Sequence, residues 1–141
     1  MKHVFLDTNV LVDYVFDSRP YHKYADCILK AVQTGRLRAY TSTQSLLDLS
    51  YIFTKGNKTR IKEVGNLVQT LSKYLIVCDT LKHHVSLAAA HYASDFEDAV
   101  LAATAIDVYC DLIVTGDVMF DDPFGLPIVS PDEFCREYIE E

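Results

Sequence analysis

The stretch His3-Val4-Phe5-Leu6-Asp7-Thr8-Asn9-Val10-Leu11-Val12 decides how the rest of the chain is read. Its apolar run stops at Asp7, the pattern of a short strand buried on both faces. From Asn9 to Asp17 the apolar residues fall at 11, 12, 15 and 16, which is helical spacing. A buried strand thus passes through a carboxylate directly into a helix. Outward from this unit the alternation repeats. Leu75-Ile76-Val77 and Leu112-Ile113-Val114-Thr115 are further apolar strands, with shorter ones at Arg38-Ala39-Tyr40 and Leu126-Pro127-Ile128-Val129. Helical spacing occupies 21–34, 59–74 and 81–92, and a helix capped by Ser42 or Thr43 carries Leu46, Leu47, Leu49, Ile52 and Phe53. Ser94-Asp95-Phe96-Glu97 reads as a capping box opening a helix to Val108, and Ser130-Pro131 opens a terminal one. Leu101, Ala102, Ala103, Ala105 and Ile106 make the 94–108 helix apolar on nearly every side, hence central and buried.

Short apolar strands between longer helices need crossover connections. The expected architecture is α/β: a three-layer α/β/α sandwich around a mostly parallel sheet of about four to five strands. With no Pro/Gly/Ser-rich linker, residues 1–141 are expected to form a single domain. Half the 141 residues are apolar, with 5 Gly and 4 Pro, which excludes disordered and collagenous classes. No apolar run approaches the roughly 20 residues that span a bilayer, and Asp7 interrupts the start too early for a signal peptide. The expectation is a soluble, cytoplasmic protein without a membrane partner. Cys27, Cys78, Cys110 and Cys135 form no C-x-x-C pair and are expected as reduced thiols. His83 and His84 are adjacent on a helix, with no third ligand at helical spacing, and are expected to be exposed.

In a parallel sheet the ligand site lies beyond the carboxyl ends of the strands. Leu6 runs into Asp7 there and Thr115-Gly116 into Asp117, so both carboxylates should project at one edge. Gly116 would permit close approach of a substrate backbone. Asp48 lies between Leu47 and Leu49 in an apolar helix, with Gln44, Tyr51 and Ile52 as its helical neighbours and no basic residue to pair with. Such a carboxylate is either on a solvated flank or buried against a cation. Asp95 and Asp98 share a face at the start of the 94–108 helix, where the helix dipole favours both; Asp98 is the functional candidate and Asp95 a cap or supporting residue. Two carboxylates about 4 Å apart repel by roughly 4 kcal/mol at an effective dielectric of 20. Asp7, Asp48, Asp98 and Asp117 at one edge would therefore take up protons or bind a cation. Oxygen ligands without His or Cys select a hard ion, Mg²⁺ or Mn²⁺, whose chemistry suits phosphodiester hydrolysis.

These residues in this order resemble the PIN-domain family of metal-dependent ribonucleases, over essentially the whole chain. Val4-Phe5-Leu6-Asp7-Thr8-Asn9-Val10-Leu11 is similar to the family's first acidic motif, and Thr41-Ser42-Thr43-Gln44-Ser45-Leu46-Leu47-Asp48-Leu49 to its second. Asp95-Phe96-Glu97-Asp98-Ala99 resembles the third, and Thr115-Gly116-Asp117 the fourth. The resemblance implies that Asp7, Asp48, Asp98 and Asp117 are metal ligands and catalytic, supported by Asn9, Asp95 and Thr115. It further implies an RNA substrate and, from members of this size, a VapC-type toxin paired with a small antitoxin and assembled as a homodimer. Two positions depart from the pattern: Asp48 stands where Glu is usual, and Gly116 where Arg or Asn is frequent. The alternative is a catalytically weak or inactive PIN-like module that binds RNA or protein. An aspartate-nucleophile phosphatase would want a second carboxylate two residues after Asp7, and position 9 is Asn.

With 13 Lys+Arg against 20 Asp+Glu the net charge is −7, which at first argues against a polyanionic ligand. The charge is unevenly placed: residues 111–141 stand at −8 and residues 1–110 at +1. Lys55, Lys58, Arg60 and Lys62 form a basic run and are the candidates for contacting RNA phosphates. Tyr14, Tyr21, Tyr51 and Phe53 are read as core or interface aromatics.

Overall fold

The computed structural model describes residues 1–139; Glu140 and Glu141, the end of the acidic segment, lie outside the described residues. The strands are β1 (His3–Leu6), β2 (Arg38–Ser42), β3 (Ile76–Cys78), β4 (Leu112–Val114) and β5 (Ile128–Val129). They form one sheet in the order β3-β2-β1-β4-β5, and every pairing is parallel. The chain leaves β1 on one side for β2 and β3, then returns on its other side for β4 and β5. Strand order therefore reverses at β1, and the crevice of such a sheet opens beyond the carboxyl ends of β1 and β4.

The helices are α1 (Thr8–Val15), α2 (His22–Gln33), α3 (Thr43–Thr54), α4 (Lys58–Ile61), α5 (Val64–Tyr74), α6 (Lys82–His91), α7 (Phe96–Asp107) and α8 (Pro131–Tyr138). Alternation along the central strands divides the core into two layers. Val4, Leu6, Ala39, Leu112 and Val114 pack on one face with α1, α2, α3, α5 and α8. Phe5, Tyr40 and Ile113 pack on the other with Leu101, Ala102 and Ala105 of α7. Phe5 is fully buried, and truncating such a side chain to Ala costs about 3–5 kcal/mol. No helix among the described residues is long and apolar enough to cross a membrane.

Three local expectations change. The 59–74 segment is two helices, because Ile61 points to solvent while Leu67, Val68 and Leu71 face the core; the turn at residues 62–63 reorients the chain between them. Helix α7 starts one residue late, with Asp95 rather than Ser94 as its cap: the Asp95 carboxylate accepts the Asp98 N–H at 3.0 Å. The cause is Asp121, whose Oδ2 accepts the N–H groups of Ala93, Ser94 and Asp95 at 2.8, 2.7 and 2.9 Å and holds them outside the helix. His84 is buried rather than exposed. Its Nδ1 accepts the Leu81 N–H at 2.9 Å, so Nε2 carries the proton it donates to Asp107 at 2.8 Å. Cys27, Cys78 and Cys110 are free thiols.

Candidate metal centre

The Asp7 N–H donates to the Val114 carbonyl at 3.0 Å, extending the β1–β4 ladder by one step. The Asp7 side chain consequently emerges beside the end of β4. Its Oδ1 caps α1 through the Thr8 N–H at 2.7 Å, and its Oδ2 accepts from the Thr115 hydroxyl at 2.8 Å and the Asn9 amide at 3.1 Å. Thr115 Oγ1 in turn accepts from Asn9 at 3.0 Å and from the Asp117 N–H at 3.0 Å, while Asn9 Oδ1 accepts the Gly116 N–H at 3.1 Å. Asn9 and Thr115 thus stitch the ends of β1 and β4 together and orient Asp7. Thr115 is buried behind the carboxylates rather than facing solvent.

Asp98 occupies the first turn of α7, and its Oδ2 accepts the Asp121 N–H at 3.1 Å. Asp117 follows β4 and is exposed. Asp48 projects from α3, half-buried, and accepts from the Gln44 amide at 3.0 Å. Of the two readings of Asp48, the partly solvated one holds. All four carboxylates line one cavity of about 770 Å³ at the switch point of the sheet. Asp95 caps α7 from outside this lining.

Burial pushes the Asp98 carboxyl up to about 6, against a partial lowering by the Asp121 N–H; the charges of Asp95, Asp7 and Asp117 push it further up. Burial likewise raises Asp7 above the ordinary carboxylate range, opposed by its bonds from Thr115 and Thr8 and reinforced by Asp117 and Asp95. Two desolvated carboxylates that repel each other are stabilised by a proton or by a hard cation.

A model of the PIN domain matches residues 3–119, from the first strand through the loop that carries Asp117. The chain belongs to the PIN-domain family. It is 25% identical over 141 residues to Ribonuclease VapC1 of Aquifex aeolicus (strain VF5), covering 97% of this chain and 96% of that protein. Its fold is similar to that of VapBC2 from Rickettsia felis bound to a DNA fragment from their promoter, with a TM-score of 0.69 at 15% identity, covering 91% of this chain and 98% of that one. It is also similar to VapC20 of Mycobacterium tuberculosis, a sarcin-ricin loop cleaving toxin, with a TM-score of 0.65 at 15% identity, covering 83% and 92% of the two chains.

Within this PIN domain the donor set fits Mg²⁺ or Mn²⁺. The side-chain atoms on its lining that could ligate a metal are carboxylate, hydroxyl and amide oxygens, and no His or Cys is among them. A second cluster lies elsewhere. His83, His84 and Asp107 have donor atoms within 4.8 Å of one another, between α6 and α7. The proton on His84 Nε2 and the Leu81 N–H bonded to Nδ1 make this an internal hydrogen-bond relay; a metal on Nε2 would break it.

Other expectations fall differently. None of Lys55, Lys58, Arg60 and Lys62 borders the cavity. Arg60 is engaged elsewhere: its guanidinium lies 5.1 Å from the Phe16 ring centroid and 5.4 Å from that of Phe53. The space over Gly116 is not open to substrate. A Cβ there would meet Cδ2 and Cε2 of Tyr21 at 3.2 Å, so the tyrosine ring fills it. Two groups escaped the sequence reading. Asp121 counted only as part of an acidic segment, and no local pattern marks its bonds to residues 26–28 positions upstream. Nothing in the local sequence pattern singles out Arg19, yet it lines the cavity.

Proposed function

We propose that this chain is a divalent-metal-dependent endoribonuclease that hydrolyses RNA phosphodiester bonds. The observation that carries the reading is the convergence of Asp7, Asp48, Asp98 and Asp117, from four distant segments, on one cavity of a PIN domain. Asp7, Asp98 and Asp117 are the ligands at the β1/β4 edge, and Asp48 completes the set from α3. When bound there, Mg²⁺ or Mn²⁺ would supply an activated water and a positive charge for the phosphoryl and leaving oxygens. The chain's own residues hold the site in readiness. Asn9 and Thr115 fix the Asp7 carboxylate in one orientation. The Asp121 N–H fixes that of Asp98, and Asp95 anchors the first turn of α7 through the Asp98 N–H.

The likeness to a VapC ribonuclease supports a role as the toxin of a toxin–antitoxin pair, acting in the cytoplasm as a homodimer held in check by a cognate antitoxin. The exposed Lys55, Lys58 and Lys62 follow α3, whose Tyr51 and Ile52 border the cavity; we assign them as outer contacts to the RNA backbone.

The test is incubation of purified protein with RNA in Mg²⁺ or Mn²⁺, beside EDTA and an Asp7→Asn control. Cleavage should appear with either ion and vanish in both controls. Cleavage that survives both would indicate a contaminant and sink the proposal. RNA binding without cleavage would favour the inactive-module alternative.

A further inference from the structure

Five carboxylates line the cavity, Glu97 among them, yet its substrate in the reading above is a polyanion, and the basic run does not reach it. The one Lys or Arg among the described residues that borders it is Arg19. This residue sits in the turn between α1 and α2, tied by its own N–H to the Phe16 carbonyl at 3.1 Å and by its carbonyl to the His22 N–H at 3.0 Å. Its Nε donates to Oδ1 of Asp13 at 2.9 Å. The Asp13 side chain is 4% exposed and that of Arg19 is 44% exposed. The His22 ring Nδ1 closes the same turn on the Asp13 carbonyl at 2.8 Å.

We propose that Arg19 forms a phosphate subsite of this cavity, with the guanidinium oriented by buried Asp13 through Nε and presenting its terminal nitrogens to a phosphodiester oxygen of the RNA. The proposal rests on the ribonuclease reading. Three observations carry it. First, an ion pair that served only to neutralise Asp13 would be complete at Nε, while the Nη1 and Nη2 donors make no hydrogen bond among the described residues. A planar five-donor fork can bind a carboxylate on one edge and a phosphate on another, which a lysine cannot do. Second, the anchor is itself buried and fixed on α1, the helix that Asp7 caps, so the guanidinium and the carboxylates share one rigid support. Third, the fourth carboxylate loop offers no side chain at Gly116, and the same turn fills that gap with Tyr21, leaving Arg19 as the cation on this wall.

Anisotropy of a labelled single-stranded RNA, titrated with the full chain in Ca²⁺ from 50 to 200 mM salt, reads the contact independently of cleavage. Arg19→Gln should weaken binding about tenfold and make the slope of log K against log salt shallower by about 0.7, the value of one phosphate contact on a single strand. Arg19→Lys should keep the slope and recover part of the affinity. Because Arg19→Gln strands a buried carboxylate, Asp13→Asn/Arg19→Gln serves as the second variant; it removes both charges together and should show the same shallower slope. A wild-type slope in folded Arg19→Gln or in the double variant would reduce Arg19 to a structural partner of Asp13 and overturn the proposal. If the wild-type chain binds RNA but does not cleave it in Mg²⁺ or Mn²⁺, the nuclease reading fails while the slope still judges Arg19. If it binds no RNA, both fail.

Discussion

The main-chain N–H of Asp121 donates to Oδ2 of Asp98 at 3.1 Å, while the Asp121 carboxylate gathers three N–H groups immediately upstream of α7. One residue thus fixes both the start of the helix and a carboxylate on its first turn. Those N–H bonds also hold the Asp121 carboxyl below the ordinary carboxylate range. It is a positioning residue: it acts through Asp98 and is absent from the residues lining the cavity.

Replacing Asp121 should therefore damage the site without touching it. Asp121→Ala leaves three N–H donors without their acceptor and should lower metal affinity or cleavage by roughly 10–100-fold, as loss of a ligand's supporting partner does. Asp121→Asn retains a neutral acceptor and should fall between Ala and wild type. Isothermal titration with Mn²⁺ and cleavage rates would check the order. Equal metal affinity in all three proteins would remove Asp121 from the site.

The raised carboxyl of Asp98 gives a pH dependence of definite sign. Its folded-state value of about 6 lies above the ordinary carboxylate range, so the folded, metal-free protein holds a proton that the unfolded chain releases earlier. That stabilisation is fully present below the unfolded value and is lost as pH rises through about 6. Asp121, shifted the other way, contributes above its unfolded value and does not change between pH 5 and 7.5. In EDTA, Asp98→Asn should consequently raise Tm at pH 7.5 more than at pH 5. An equal change at both pH values would contradict the assignment.

Metal reverses this trend, because it needs the ionised carboxylates. At a free concentration of about 100 times Kd, Mg²⁺ or Mn²⁺ should stabilise the fold by about 2.7 kcal/mol, a rise of several degrees in Tm. The rise should be larger at pH 7.5 than at pH 5, and Asp98→Asn should abolish it. Thermal scans with and without metal decide the matter; an undiminished rise in the variant would place the ion elsewhere.

The fold was largely legible because strand burial is written in short apolar runs: Val4-Phe5-Leu6 and Leu112-Ile113-Val114 supply alternate residues to the two core layers. The acidic site was legible for a related reason, since Asp7 and Asp117 each stand where a strand must end. For Asp48 the sequence left two readings open; the partly solvated one holds, with Gln44 one turn away as its hydrogen-bond partner in place of a basic residue. His84 and Asp121 were missed because their partners lie on other elements, Asp107 on α7 and the backbone before it. Periodicity records which face of an element is apolar, and carries no sign of a long-range hydrogen bond.

The contact between Tyr21 and Gly116 explains why a small residue stands beside Asp117. Gly116→Ala places a Cβ 3.2 Å from two ring carbons and should cost about 1–3 kcal/mol through overpacking. Combined with Tyr21→Ala, which opens the space, the pair should be less destabilised than the sum of the single changes. Urea denaturation of the four proteins of the cycle measures the coupling; strict additivity would mean the ring does not set the size of residue 116.

The central claim is that Asp7, Asp98 and Asp117 hold the ion, and anomalous scattering from crystals soaked in Mn²⁺ tests it most directly. A peak is expected in the cavity beside these carboxylates in the wild-type protein and none there in Asp98→Asn. Its absence from the wild-type cavity, with Mn²⁺ found instead among His83, His84 and Asp107, would rule out these aspartates as the ion's ligands.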